Sequence, residues 1–384
     1  MRLLHTADWH LGRVFHGRSL LDDQAAVLDE LVRMVRDQRP DAVLVAGDIY
    51  DRSVPPADAV RLLDETLTRI VVGLRTPVFL IAGNHDGPDR LSFGARLMAG
   101  AGLRVEAVPV ATPGASVLAD AHGEVEIFAL PYAEPPMMRN VLGGEVEMPD
   151  HAAVLAAQMA AVRRARDPSR RLVVMAHAFV AGGLDSESER PLVVGTAASV
   201  PPAVFDDAHY VALGHLHRPQ RVARDAIRYA GSLMKYSFSE ASHVKGATIV
   251  EIDAAGAARV ESLPLAAPRD LRIVEGRLAE ILARAPDDPG QDDYLLVRLT
   301  DQGALLDAMP RLRAVHPNAL AIERPAIAAG GGAGSAPRHA RIELIDLFGS
   351  FVADLSGELL DAPSRAFVAE RIAAIERGER EAGE

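Results

Sequence analysis

The chain has 384 residues, a formal net charge of −12 at pH 7 and no cysteine. The length suffices for two or three domains, and the lack of cysteine excludes disulfides, thiolate nucleophiles and cysteine-ligated zinc. The acidic balance excludes a broad basic surface for nucleic acid. Either the substrate is not a polyanion, or metal ions, a few arginines and a partner meet its phosphates. No apolar signal region or eighteen-residue apolar run is present, which predicts a cytoplasmic protein without membrane contact.

The first hundred residues alternate between strand-like and helix-like segments. Apolar runs at 2–6, 42–46 and 78–81 predict buried strands. Apolar residues at helical spacing predict a helix over about 20–38 and a second one after a pair of prolines. This alternation with short loops is the α/β pattern, in which functional residues follow the carboxyl ends of the strands.

Polar residues that can bind metal follow five of the strand-like runs. Each has an ordinary explanation when taken alone, as a turn residue or as a buried or surface histidine. Five strand ends of this kind in one chain make coincidence improbable. Asp8 and His10 are two residues apart, which would place both side chains on one side of an extended backbone. The candidate ligands are Asp8, His10, Asp48, Asn84, His177, His215 and His217.

If these loops share one edge of a sheet, the seven side chains can hold two ions with one carboxylate, Asp48, shared between them. Two divalent ions about 3.5–4 Å apart can hold a hydroxide and bind two oxygens of a phosphate. Mixed nitrogen and oxygen ligands suit Mn, Fe or Zn better than Mg or Ca. His85, next to Asn84 but on the opposite side of the chain, is free to protonate a leaving alkoxide.

These motifs resemble those of the calcineurin-like metallophosphoesterase superfamily. The matching motifs are Asp8-x-His10, Gly47-Asp48-x-x-Asp51, Gly83-Asn84-His85-Asp86, His177 and Gly214-His215-Leu216-His217. The flanking segments 5–12 and 45–51, with 229–232 and 236–240, resemble the SbcD family of bacterial nuclease subunits. That family is related to the eukaryotic double-strand-break repair nuclease. The likeness runs from residue 2 to about residue 253.

The resemblance implies a four-layer α-β-β-α sandwich with a small α+β capping domain and a C-terminal helical hairpin. It implies that two ions, with Mn²⁺ preferred, share Asp48, and that His85 is the catalytic acid. One ion would be held by Asp8, His10, Asp48 and His217, and the other by Asp48, Asn84, His177 and His215. Asp51 stands where some relatives carry a histidine, and its role is left open.

The activity that the resemblance implies is hydrolysis of phosphodiester bonds in DNA, as exonuclease and endonuclease. The substrates would be double-stranded ends, hairpins and single strands. The implied partner is SbcC, a coiled-coil ATPase, in a heterotetramer that contains a homodimer of this subunit. Two other functions fit the same sequence: a stand-alone phosphodiesterase acting on small nucleotides, and a non-catalytic scaffold of the same fold.

The remaining sequence predicts the domain organisation. Residues 1–264 would form the phosphoesterase domain and 265–325 the capping domain, although a packing appendage without its own function is equally open for the latter. A glycine-rich tether covers 326–340. Residues 341–384 would form the helical region that binds the partner.

This C-terminal region has apolar residues at helical spacing in two stretches. The candidate partner-binding residues are Leu347, Phe348, Phe351, Val352, Leu355, Phe367, Val368 and Ile372. Two amphipathic helices after a tether could fold back onto their own protein or dock on a partner's coiled coil, which is where the resembled family binds SbcC. From residue 341 onward the sequence has five basic and ten acidic residues, which makes it a poor DNA binder and favours a protein contact.

Overall fold

The computed structural model describes residues 1–189, 199–302, 305–324, 361, 363–369 and 371. The chain divides into two units, Met1–Pro325 and Ala326–Glu384. In the second unit a stretch at 363–369 is helical, and it contains Phe367, which is 58% exposed, and Val368. The predicted tether lies outside the described residues, as do Leu347, Phe348, Phe351, Val352, Leu355 and Ile372. Within the described ranges, no helix has the length and apolar character that a bilayer crossing requires.

The first unit contains two six-stranded sheets, a three-stranded sheet and a short hairpin. The strands are β1 (Arg2–Thr6), β2 (Val14–Phe15), β3 (Arg18–Ser19), β4 (Ala42–Ala46), β5 (Val78–Ile81), β6 (Leu103–Glu106), β7 (Ser116–Asp120), β8 (Gly123–Leu130), β9 (Arg171–His177), β10 (Tyr210–Gly214), β11 (Gln220–Val222), β12 (Arg224–Tyr229), β13 (Gly246–Ile252), β14 (Ala258–Pro264), β15 (Leu271–Gly276), β16 (Tyr294–Leu299) and β17 (Ala319–Glu323). The α-helices are α1 (Leu21–Gln38), α2 (Ala57–Thr68), α3 (Pro88–Leu91), α4 (Ala95–Met98), α5 (Pro135–Val141), α6 (His151–Ala165), α7 (Leu278–Arg284) and α8 (Ala308–Arg313).

The first large sheet has the order β14-β13-β1-β4-β5-β6, and the second has the order β11-β12-β10-β9-β8-β7. In the first sheet β1, β4, β5 and β6 are parallel, while β13 and β14 complete it as antiparallel strands. In the second sheet β8, β9, β10 and β12 are parallel. β4 and β5 are covered on both faces and are buried at every residue. Parallel strands in this position are apolar throughout, as these two are.

Three layers of apolar side chains hold the sandwich together: one between the two sheets and one between each sheet and its helices. Leu44 and Phe79 of the first sheet pack with Val173 and Met175 of the second in a core between the sheets. On the outer face of the first sheet, α1 and α2 cover the strands, and α6 covers the outer face of the second sheet. The α/β class and the α-β-β-α sandwich expected from the sequence are therefore confirmed.

The small sheet β15-β16-β17 is parallel and has its own core, to which α7 and α8 contribute Leu278, Ile281 and Leu312. It is joined to the larger part through the buried carboxylate of Asp23 in α1. Asp23 accepts a hydrogen bond from the Tyr294 hydroxyl at 2.7 Å and pairs with Arg269 at 2.9 Å. The four domain boundaries drawn from the sequence stay predictions.

Candidate metal centre

The predicted metal ligands and His85 all lie in loops at the carboxyl ends of β1, β4, β5, β9 and β10, or at the last residue of such a strand. Because β4 and β9 face each other across the core between the sheets, these loops meet at one edge of the sandwich. The structure brings together Asp8, His10, Asp48, Asn84, His85, His177, His215 and His217. Asn84 and His85 are partly exposed, and the other six are buried.

The backbone of this edge is strained at four of the predicted ligands. Asp8, His10 and Asp48 have φ values of 54°, 45° and 49°, and His215 has a φ of 108°. Positive φ is uncommon outside glycine and concentrates at functional sites. Asp8 and His10 therefore do not share a side through an extended backbone, as the sequence analysis supposed. They reach the site through left-handed turns.

Two glycines allow the loops to approach this closely. A Cβ atom on Gly83 would lie 2.2 Å from Asp48 Oδ1, and one on Gly214 would lie 1.8 Å from the Ala46 carbonyl oxygen. A side chain at either position would push two ligand-bearing loops apart. The Gly-Asn-His and Gly-His-x-His spacings thus have a steric reason in this fold.

The first cluster of donors consists of Asp8, His10 and His217, whose ligand atoms lie within 4.8 Å of one another. The Nε2 atoms of His10 and His217 are 3.0 Å apart. Asp8 Oδ2 is buried and has no hydrogen-bond partner. Two imidazole nitrogens directed at one point beside an unpaired carboxylate oxygen are the arrangement expected around a cation.

The second cluster lies on the other side of Asp48. Asn84 Oδ1 is 2.9 Å from His177 Nε2 and 3.2 Å from His215 Nδ1. Asp48 Oδ2 is 3.5 Å from His177 Nε2 and 3.6 Å from His10 Nε2. One carboxylate oxygen is therefore almost equally distant from the two clusters.

The charges of the site favour a bound cation. Burial, and next the charge of Asp48, raise the pKa of Asp8 well above its usual range. Burial and neighbouring imidazoles lower the pKa of His10 and His215, so these rings are neutral, as metal ligands must be. Burying the carboxylates of Asp8 and Asp48 as charged groups without a cation beside them is costly. The buried donor set fits a dinuclear site for divalent ions.

His85 is held by contacts to two other loops. Its backbone N–H donates to Asp48 Oδ1 at 2.9 Å, and its Nδ1–H donates to the Asp51 carbonyl oxygen at 2.9 Å. Its ring stands edge-on to that of His10, with 4.8 Å between the ring centroids. Asp51, whose role the sequence left open, thus positions His85 through its backbone, while its carboxylate pairs with Arg13 at 3.1 Å.

Two further residues support the site, and the sequence analysis assigned a role to neither of them. Gln24 of α1 donates to the His10 carbonyl oxygen at 2.8 Å and accepts from the Gly12 N–H at 3.0 Å. Its polar side chain in an otherwise apolar helix face could have indicated such a role. Asp86 accepts the N–H groups of Ile49, Tyr50 and Gly83 at 2.9–3.1 Å and so ties two loops together; burial raises its pKa to about 7.

Comparison with protein families gives two matches. A family model described as "Calcineurin-like phosphoesterase" matches residues 1–219, which is more than half of the chain. A second model, SbcD_C, described as "Type 5 capsule protein repressor C-terminal domain", matches residues 267–354. The pair agrees with the resemblance to SbcD nuclease subunits.

Solved structures with a similar fold include a dimetal phosphatase from Danio rerio. It is 13% identical, with 65% of this chain and 92% of that chain covered and a TM-score of 0.39. A NAD nucleotidase from Haemophilus influenzae is 13% identical, with 69% of this chain and 50% of that chain covered and a TM-score of 0.35. A phosphoesterase from E. coli is 12% identical, with 66% and 90% covered and a TM-score of 0.27. Similarity at this level carries no information about the reaction.

Proposed function

The chain belongs to the calcineurin-like phosphoesterase family, and from that premise we propose that it is an SbcD-type nuclease subunit that hydrolyses phosphodiester bonds in DNA. The observation that carries the proposal is the pair of donor clusters on either side of Asp48. The family and these clusters make the protein a metal-dependent phosphoesterase. The SbcD_C match supports the narrower choice of a nuclease.

The proposed metal assignment follows the two clusters. Asp8, His10, Asp48 and His217 would hold one ion, and Asp48, Asn84, His177 and His215 the other. Two imidazoles and several oxygen donors for each ion suit Mn²⁺ better than Mg²⁺, so Mn²⁺ is the proposed occupant. When bound, the pair of cations would offset the charge of a phosphate and make water a stronger nucleophile.

His85 is proposed as the general acid. Hydrolysis of a phosphodiester forms a bond from water to phosphorus and breaks the bond to one ester oxygen, which leaves as an alkoxide and needs a proton. The Asp51 carbonyl oxygen accepts from Nδ1–H, so the acid would be the imidazolium form of His85, which gives its Nε2 proton to this oxygen and becomes the neutral Nδ1–H ring. The contact between the His85 N–H and Asp48 fixes the ring relative to the ligands.

The test of the nuclease proposal is cleavage of an end-labelled DNA hairpin with Mn²⁺, with and without an SbcC-type ATPase. We expect manganese-dependent cleavage that the ATPase stimulates and that EDTA abolishes. Bis(4-nitrophenyl) phosphate, a small phosphodiester, is the parallel substrate. Its hydrolysis without any DNA cleavage would identify a stand-alone phosphodiesterase instead, and no hydrolysis of either would identify a scaffold.

Partner binding is proposed for the C-terminal region. Phe348 and Phe351 are the largest apolar residues of the first predicted stretch, and large aromatic side chains are frequent anchors of interfaces. In the hairpin assay, a Phe348→Ala, Phe351→Ala variant should lose the stimulation by the ATPase and keep the hydrolysis of the small phosphodiester. Stimulation equal to that of the wild type would exclude this stretch as the docking site.

A homodimer is proposed through an apolar groove beside α2, α3 and α4. Phe93 is 86% exposed and Leu97 is 87% exposed, which is unusual for residues of this size. Phe93 borders a groove of about 380 Å³ that is lined mainly by apolar side chains, among them Leu63, Leu67 and Met98. Exposed apolar patches of this kind mark interaction surfaces, and a second copy of the chain is the proposed occupant.

We expect a Phe93→Asp, Leu97→Asp variant to be monomeric when the wild type is dimeric, because the introduced carboxylates would be buried without partners. The measurement is the mass in solution by light scattering after size-exclusion chromatography. Leu306→Asp is the matched control, since Leu306 is 83% exposed and lies between β16 and α8, outside the segment of α2, α3 and α4. A dimeric double variant, or a control that also dissociates, would refute this interface.

A further inference from the structure

His217 is held at three of its atoms by side chains from two other segments. Its backbone N–H donates to Glu189 Oε1 at 2.7 Å, and its carbonyl oxygen accepts from Lys245 Nζ at 2.6 Å. Its ring nitrogen Nδ1 is 2.5 Å from Ser188 Oγ. His217 itself is 1% exposed, Ser188 is 7% exposed and Lys245 is 5% exposed.

The position of the Ser188 hydroxyl hydrogen determines which atom donates in the contact between Ser188 Oγ and His217 Nδ1. Ser188 Oγ donates to Glu240 Oε1, a fully buried carboxylate that also pairs with Lys245. A hydroxyl group has one hydrogen, so a serine that donates to Glu240 must accept from His217 Nδ1–H. Ser186 Oγ, 3.0 Å from Ser188 Oγ, is a weaker competitor as acceptor because it is neutral.

Glu240 is a strong acceptor because its buried carboxylate forms an ion pair with the Lys245 ammonium group. Lys245 also donates to Ser232 Oγ at 2.9 Å, so its ammonium group has several acceptors. The buried Glu240–Lys245 ion pair can therefore hold Ser188 in one rotamer.

We propose that Ser188, Glu240 and Lys245 form a positioning relay that holds His217 in its Nδ1–H tautomer. The lone pair of the ring then lies on Nε2, the nitrogen that would bind the ion held also by Asp8 and His10. This inference rests on the ligand role proposed above for His217. Glu240 and Lys245 lie beyond residues 1–219, the part that matches the phosphoesterase model. The hydrogen-bond partner of a ligating histidine sets its tautomer and orientation, and losing it typically costs about 10–100-fold in metal affinity.

The test compares Ser188→Ala, Ser188→Thr and a control, Thr66→Ala. Thr66 of α2 is buried, at 1% exposed, and its hydroxyl group donates to the Leu62 carbonyl oxygen at 2.8 Å, within its own helix. The first measurement is the ¹⁵N NMR spectrum of the histidine rings in the metal-free proteins, with His217→Gln used to assign the His217 signals. The second is a titration with Mn²⁺, with the thermal midpoint recorded to check folding.

In the wild type, Ser188→Thr and Thr66→Ala, we expect one tautomer of His217, protonated at Nδ1. Ser188→Ala should show a mixture of tautomers and about 10–100-fold weaker binding of one Mn²⁺. A single Nδ1–H tautomer together with unchanged Mn²⁺ binding in Ser188→Ala would overturn the relay. So would an equal loss of affinity in Thr66→Ala. If His217→Gln itself binds two Mn²⁺ as tightly as the wild type, the ligand role fails instead, which separates the two proposals.

Discussion

Asp48→Ala is expected to lose both metal ions together and to reduce hydrolysis by about 10³-fold or more. Asp48 Oδ2 lies 3.5 Å and 3.6 Å from the histidines of the two donor clusters, so one substitution removes a ligand from each. Two-metal sites supply several kcal/mol of transition-state stabilisation, and each 1.4 kcal/mol corresponds to a factor of ten in rate. Metal content by mass spectrometry after dialysis, together with kcat, measures the effect.

His5→Gln is the control for this experiment, since His5 is a fully buried histidine of β1 that contacts Tyr210 and the Leu213 carbonyl oxygen instead of the ligands. It should keep both ions. Asp48→Asn preserves the shape of the side chain and should fail in the same way as Asp48→Ala, which separates a loss of charge from a cavity. One ion retained at full stoichiometry in Asp48→Ala would contradict the shared role.

His85→Gln is expected to keep both ions and to lower kcat by about 10²–10⁴-fold, the usual contribution of a general acid. The ring of His85 stands edge-on to that of His10, and His85 is not among the seven proposed ligands, so its substitution should take no ligand away. The measurement is kcat on DNA, with metal content determined on the same samples.

The leaving group provides an internal control for His85→Gln. A 4-nitrophenolate ion leaves without a proton, whereas the alkoxide of a nucleotide needs one, so the variant should lose far less activity on bis(4-nitrophenyl) phosphate than on DNA. An equal loss on both substrates would assign His85 to substrate binding or metal retention. An unchanged rate on DNA would remove it from the mechanism.

The part of the site that could be predicted from sequence is the part encoded locally. A buried apolar run followed by glycine and a polar residue marks a strand exit, and parallel strands bring such exits to one edge. The seven candidate ligands could therefore be selected without knowing how the strands are ordered. The geometry at Asp8 and His10 was not predictable in the same way, because their positive φ values depend on hydrogen bonds from Asp8 to Gly47 and from His10 to Asp48.

The side chains that position the ligands could not be predicted, because their contacts join residues that are far apart in the sequence. Ser188 and Glu240 are 52 positions apart, and Gln24 meets Tyr236 across 212 positions. Neither pair has a local pattern that would single it out from other buried polar residues. Strand order is another example: β13, late in the chain, pairs with β1 and completes the first sheet, an arrangement that periodicity alone does not specify.

The most direct test of the central claim is the anomalous scattering of Mn²⁺ in crystals of the protein grown with that ion. Two peaks are expected, one among Asp8, His10 and His217 and the other among Asn84, His177 and His215, with the Asp48 carboxylate between them. A single peak, or peaks away from Asp48, would contradict the dinuclear centre and with it the proposed hydrolysis.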